Sequence, residues 1–175
     1  MNKIRASRFL SLVLRHNPGK INLELDEQGY AKVTDILEKM GWTRSFLENL
    51  VTTNTKQRFA FNKNKTRIRA SQGHSINVDL ALTELEPPSI LLHGTSKRLA
   101  TIIDSEGLKK MARHHVHLSE DITTAANVGQ RRKGDLLIYR VNASQMHQDG
   151  YIFYRSDNGV WLTDHVPPGY LEHSA

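Results

Sequence analysis

The chain has 175 residues, a net charge of +6, 38% hydrophobic and 24% charged residues, and no cysteine. That balance supports a globular core in one ordinary domain or two small ones, and it excludes disorder, disulfides, thiolate metal sites and a cysteine nucleophile. The excess charge is confined to one part: residues 1–85 hold 14 Lys/Arg against 8 Asp/Glu, and residues 86–175 hold 10 against 10.

A polyanion such as RNA or DNA would therefore meet the first half first, although a basic surface is also what ordinary solubility produces. The first twenty residues carry five Lys/Arg in an amphipathic pattern without a long apolar run. They read as neither a signal peptide nor a membrane span, so a cytoplasmic protein with no membrane partner is expected.

In chain order, Ala6, Phe9, Leu10 and Val13 form one helical stripe over residues 4–16. Arg15 falls nearly opposite that stripe and His16 at its edge. Proline at 18 ends the helix, so the pair sits at its negative pole, either as a dipole-stabilised cation or as an anion site. A turn at DEQG (26–29) precedes VTDILEKMG, read as a helix with Thr34 as N-cap and Gly41 as its stop. A third helix begins near Thr43 and points Phe46, Leu47, Leu50 and Val51 inward. The period then changes to two: RFAFN (58–62), KNKT and RIRAS (67–71) read as a hairpin, with Arg67 and Arg69 on one face. Three helices and a hairpin predict a winged-helix lobe over residues 1–85, a frequent nucleic-acid reader.

Pro87 and Pro88 in TELEPPSI mark a linker at about residues 82–89. Beyond it, SILLHGT reads as a buried strand, SKRLATIIDSEG as a helix capped at Ser96, and HVHLS as a short strand. ITTAANVGQRR reads as a helix, DLLIYRVNA as a strand, and YIFYRSDNGVWLT as a hairpin turning at Asp157-Asn158-Gly159. The overall fold class is α+β. Neither a G-x-G-x-x-G segment nor a P-loop lysine follows the first strand, so no Rossmann or Walker nucleotide site is supported.

Four clusters could carry chemistry: Arg15-His16; Arg67 to His74 with Gln72; His93-Gly94-Thr95; and His115 to Arg132. His115 and His117 lack a third ligand at a useful spacing, which leaves the metal reading without support. Several arginines with a few histidines, and almost no candidate carboxylate base or serine nucleophile, suit phosphate binding or phosphoryl chemistry better than acyl transfer. An ordinary solvated basic face remains the alternative for each cluster taken singly.

Taken in order, LSLVLRHNP, IRASQGHS, LLHGTS, RHHVHLS, VGQRRKGD and FYRSDNGVWLT resemble the RNA 2′-phosphotransferase family, from about Ser7 to Leu162. The resemblance implies an N-terminal winged-helix, RNA-binding lobe (1–85) and a C-terminal ADP-ribosyltransferase-like, NAD-binding lobe (86–175); separately from it, a monomer is expected. It further implies removal of an internal 2′-phosphate from RNA, such as a tRNA splice junction, with NAD+ consumed as co-substrate. An RNA-2′-phospho-ADP-ribose intermediate forms as nicotinamide leaves, and ADP-ribose 1″,2″-cyclic phosphate is then released.

The family's catalytic set falls on Arg15, His16, Arg69 and Arg131. Arg131 is aligned through Gly129-Gln130-Arg131, with Arg132 the alternative for that one position. His16 is implied either as a hydrogen-bond donor to phosphate or as the acid for the departing RNA oxygen. NAD+ falls to His93, Gly94, Thr95, His117 and Ser119, with Arg98, Asn127 and Gly129; the family's QGHS segment puts Gln72 and His74 in the substrate cleft. Gly94 would let the ligand approach the backbone closely. Two rivals share these residues: ADP-ribosylation of terminal phosphates of RNA or DNA, and a non-catalytic nucleic-acid binder with an NAD-sensing lobe.

Overall fold

Apolar residues recurring every three to four positions make residues Lys3–Arg15 a helix (α1). Asn2 caps it by accepting the Ile4 N–H at 2.9 Å. The structure, a computed structural model, describes residues 2–131 and 134–174. It divides into two units, 1–82 and 83–175.

In the first unit α1 is followed by a 3-10 turn (Pro18–Ile21), strand β1 (Ala31–Lys32), helices α2 (Val33–Met40) and α3 (Arg44–Thr52), and strands β2 (Phe59–Phe61) and β3 (Arg67–Ala70). The sheet order is β1-β3-β2, antiparallel throughout. Ala6, Leu10, Val13 and Leu14 of α1 are buried with Ile36, Leu47, Leu50, Phe59 and Ile68 in one core. Each large side chain fully removed from water contributes about 1.5–3 kcal/mol. Thr43 caps α3 by accepting from the Phe46 N–H at 3.2 Å, and Gly41 ends α2 at φ +62°.

Thr34 does not cap α2. The helix starts two residues earlier than that cap would set, at Val33 instead of Asp35, with Lys32 at the cap position and no side-chain cap, because β1 runs straight into it. The Val33 N–H is satisfied instead by the Thr66 carbonyl at 2.9 Å.

The second unit runs β4 (Ile90–Ser96), a 3-10 turn (Lys97–Leu99), α4 (Ala100–Glu106), β5 (Leu108–Lys109), β6 (Val116–Leu118) and α5 (Ile122–Gly129). It continues through β7 (Leu136–Asn142), α6 (Ala143–Gln148), β8 (Phe153–Arg155), β9 (Trp161–Thr163), β10 (His165–Val166), a 3-10 turn (Pro168–Tyr170) and β11 (Leu171–His173). Its sheets are ordered β11-β7-β4, β6-β9-β8 and β10-β5. A bridge between Leu92 and Ser119 joins the first two of these sheets. The core gathers Leu91, Leu118, Tyr139, Val141, Met146, Phe153 and Trp161. Mixed helix and antiparallel sheet make the protein α+β. Among the described residues no helix is long and apolar enough to cross a membrane.

Tyr139 carries the one polar group of its side chain into this core and connects three elements. Its hydroxyl donates to Asp104 Oδ1 on α4 at 2.7 Å, and that same oxygen lies 2.9 Å from His173 Nε2 on β11. The Tyr139 hydroxyl, and after it His173, hold the Asp104 carboxyl below the usual carboxylate range. A group whose pKa is depressed by folding contributes stability above its unfolded pKa and loses it as pH falls through the folded value. Tyr139→Phe is therefore expected to lower the Tm at neutral pH. The gap to the wild type should narrow below about pH 4.

Candidate functional site

The final turn of α1 presents Arg15 half-buried and His16 exposed as the C-cap residue. Both are tied down from outside the helix. The Arg15 carbonyl accepts the Ser75 N–H at 2.9 Å, and His16 Nδ1 lies 2.8 Å from Ser75 Oγ. Arg15 Nη2 donates to the Arg58 carbonyl at 3.5 Å, and that carbonyl also accepts the Ser71 N–H at 2.9 Å. The end of α1 is thus fastened both to the base of the hairpin and to the QGHS segment leaving β3.

Arg69 lies on β3, paired with Ala60 of β2, and only 9% of it is exposed. Its guanidinium stacks 4.7 Å from the centre of the Tyr30 ring, and Nη1 donates to the Leu80 carbonyl at 3.4 Å. Arg67, on the same strand face, has a different setting: it is half-exposed and paired with Asp26. Asp26 also accepts the Gln28 and Tyr30 N–H groups at 3.1 and 2.9 Å, so the DEQG turn is what separates the two arginines. Gln72 is half-buried, and His74 is 1% exposed with its ring against Gly29.

Ser75 and Tyr30 are absent from the set derived from the sequence. Ser75 was visible as the last letter of QGHS. Tyr30 had no local signal, because only the turn brings it over β3. Neutral imidazole needs one ring nitrogen protonated. If the Ser75 hydroxyl donates to Nδ1, Nε2 carries the hydrogen and becomes a donor suited to a phosphate oxygen; a protonated ring donates from both nitrogens. Ser75→Ala removes this anchor at an exposed position, so an approximately tenfold fall in kcat with little change in Tm is expected in steady-state assays.

In the second unit the structure brings most of the remaining residues together. His93 Nδ1 donates to the His117 carbonyl at 3.0 Å, while His117 Nδ1 lies 3.2 Å from Arg113 Nη1. Ser119 exchanges both backbone hydrogen bonds with Leu92, at 2.8 and 2.9 Å. His93, His117 and Ser119 therefore share the junction of β4 and β6. Helix α5 crosses beside them. A Cβ on Gly94 would lie 1.7 Å from the Ala125 carbonyl oxygen, and one on Gly129 would lie 2.8 Å from the Thr95 nitrogen. Gly94 thus has a packing reason: the backbone that comes close is that of α5.

Thr95 is buried, whereas Asn127 and Arg98 are exposed. Gly134 lies against Arg98, with an added Cβ meeting its Nε at 3.1 Å. Arg131 is exposed just past α5, its N–H donating to the Val128 carbonyl at 3.3 Å. The alternative, Arg132, lies outside the described residues. His115 precedes β6 and packs edge-on against Tyr154, with ring centres 5.5 Å apart. Burial, then the neighbouring His114, holds its pKa below the ordinary imidazole value.

The donor set of the second unit is hydroxyls, imidazoles, an amide and an arginine. That chemistry fits a dinucleotide, whose ribose hydroxyls, diphosphate and carboxamide need both donors and acceptors.

Comparison with known proteins adds an independent finding. The family model described as RNA 2'-phosphotransferase, Tpt1 / KptA family matches residues 1–165. The chain is 53% identical to a probable RNA 2'-phosphotransferase of Flavobacterium johnsoniae, over 95% of this chain and 93% of that protein. It is 46% identical to one from Fusobacterium nucleatum, over 98% of each, and 49% identical to one from Rhodopirellula baltica, over 96% and 94%. With both units covered at this identity, the chain belongs to the RNA 2'-phosphotransferase, Tpt1 / KptA family.

Proposed function

We propose that this protein removes an internal 2′-phosphate from RNA, such as one at a tRNA splice junction, by transferring it to NAD+. The observation that carries the reading is the fastened Arg15–His16 corner, held by Ser75 and by the Arg58 carbonyl in a chain of this family. The first unit has the element order helix, strand, helix, helix, strand, strand, which supports a winged-helix, RNA-binding role. The mixed strands and donor set of the second unit support an ADP-ribosyltransferase-like, NAD-binding one.

Arg15 and Arg69 bind the 2′-phosphate and orient it. A phosphate monoester is already anionic near neutral pH, so it attacks without a base to activate it. NAD+ supplies an electrophilic ribose carbon whose leaving group is nicotinamide, giving the RNA-2′-phospho-ADP-ribose intermediate. In the second step Arg69 and Arg131 neutralise charge that gathers at phosphorus as the neighbouring ribose hydroxyl attacks it. His16 donates from Nε2 to a phosphate oxygen, its ring orientation set by Ser75. RNA leaves with a free 2′-hydroxyl, together with ADP-ribose 1″,2″-cyclic phosphate. His93, Thr95, His117 and Ser119, with Arg98 and Asn127, hold the dinucleotide, and Gln72 and His74 shape the substrate side.

Product analysis with a defined 2′-phosphorylated oligoribonucleotide tests this. Nicotinamide and ADP-ribose 1″,2″-cyclic phosphate are expected in equal amounts with dephosphorylated RNA. Dephosphorylation without consumption of NAD+ overturns the reading.

A further inference from the structure

Beside the Arg15–His16 corner the first unit carries a groove of about 590 Å³, far more room than a single phosphate requires. Its floor is one side of α1. Lys3, Ser7, Ser11 and Arg15 recur at every fourth position, and Arg8 and His16 belong to the adjoining row. Side chains at this spacing stack along a helix, so the floor extends about 18 Å from Lys3 to Arg15.

The facing wall is the segment after α3. Asn54 fixes that wall to the floor by donating from Nδ2 to Ser7 Oγ at 3.1 Å. Its Oδ1 accepts the Lys56 and Arg58 N–H groups at 3.2 and 3.5 Å, shaping the turn that ends at Arg58.

The lining is chemically one-sided. Lys3, Arg8, Arg15 and Arg58 bring four cations, Thr53 and Thr55 add hydroxyls, and none of the lining residues is acidic. An isolated anion would use one end of such a surface. A row of cations with interleaved hydroxyls matches a ligand that repeats its negative charge along its length.

We propose that this groove binds the sugar–phosphate backbone of the nucleotides flanking the 2′-phosphate, so that RNA on one side of the reacting nucleotide lies along α1. The inference rests on the 2′-phosphotransferase reading, because the groove ends at Arg15 and His16. It adds a length requirement to the substrate: Lys3, Arg8 and Arg58 contact phosphates that do not react. These contacts carry no sequence information, so the groove extends the footprint without choosing bases.

The test compares wild type, Arg8→Ala and the Lys3→Ala/Arg8→Ala double variant on two substrates, a 2′-phosphorylated dinucleotide and a 2′-phosphorylated oligonucleotide of about ten residues. Lys39→Ala, which removes an equal charge from the exposed side of α2, controls for net charge. The ratio of kcat/KM for long over short substrate is expected to fall roughly fivefold per groove cation removed. The salt dependence for the long substrate should fall by about one unit of slope per cation. Lys39→Ala should leave that ratio at its wild-type value. Equal losses on both substrates, or the same loss with Lys39→Ala, overturn the groove alone. Wild-type turnover of neither substrate overturns the parent reading and the groove with it.

Discussion

Arg69→Ala is expected to lower overall turnover by about 10²- to 10³-fold and to leave RNA trapped as the ADP-ribosylated intermediate. The size of the effect follows from how the side chain is held. Arg69 is 9% exposed, packed over Tyr30 and bonded to the Leu80 carbonyl, so its guanidinium has few alternative positions. A charge fixed before the reaction stabilises developing negative charge without reorganising. Charge builds most in the second step, when a neutral hydroxyl attacks a phosphodiester, so the first step should survive the substitution better. Arg69→Lys keeps the charge but loses the planar fork and much of the stacking on Tyr30, and only partial recovery is expected. A gel separating substrate, intermediate and product RNA reads all three species at once. Removing a stacked, hydrogen-bonded arginine also costs stability, about 1–2 kcal/mol. The accumulating intermediate distinguishes the catalytic role from simple loss of folded protein. Unchanged product formation, or loss of both steps in parallel with the folded fraction, takes Arg69 out of the catalytic set.

The same residue shows how far sequence reading reaches. Period-two alternation puts Arg67 and Arg69 on one face of a strand, but burial along β3 does not alternate: Arg67 is half-exposed, and Ile68, Arg69 and Ala70 are all buried. The pattern cannot say that Asp26 takes Arg67 while Tyr30 covers Arg69, because both partners arrive from a turn about forty residues upstream. Helices α1, α3 and α5 and strands β4 and β7 were legible because each is long enough to repeat its pattern. Strands β1, β5 and β10, two residues each, were not: they exist because a partner strand lies beside them. Thr34 misled for a related reason. Its residue type favours a cap, but the Thr66 carbonyl had already satisfied the donor that matters. At the candidate site, the order of motifs nominated the residues, whereas the anchoring of His16 by Ser75 and the groove along α1 were visible only in the structure.

Gly94→Ala should be the most damaging single-methyl change in the second unit. A glycine after His93 was noticeable in the sequence, but the partner that requires it was not. The new Cβ would fall 1.7 Å from the Ala125 carbonyl oxygen and 2.5 Å from its carbon. Both are helix backbone, so no side-chain rotation relieves the clash, and α5 must move off β4. Gly129 faces the same contact from the other side: a Cβ there would meet Gly94 C at 2.9 Å and Leu136 Cδ1 at 2.5 Å. Two glycines back to back thus set the distance between α5 and the strand that carries His93 and Thr95. Overpacking against a rigid neighbour costs about 3 kcal/mol or more, a fall in Tm of roughly 10 °C. Gly169→Ala is the control, because a Cβ there meets nothing within 4 Å; its effect should stay within about 0.5 kcal/mol. If Gly94→Ala melts within a degree or two of Gly169→Ala, helix α5 is not pressed onto β4. A large fall, accompanied by weaker NAD+ binding in calorimetry at temperatures where the variant stays folded, ties the spacing of helix and strand to the ligand site.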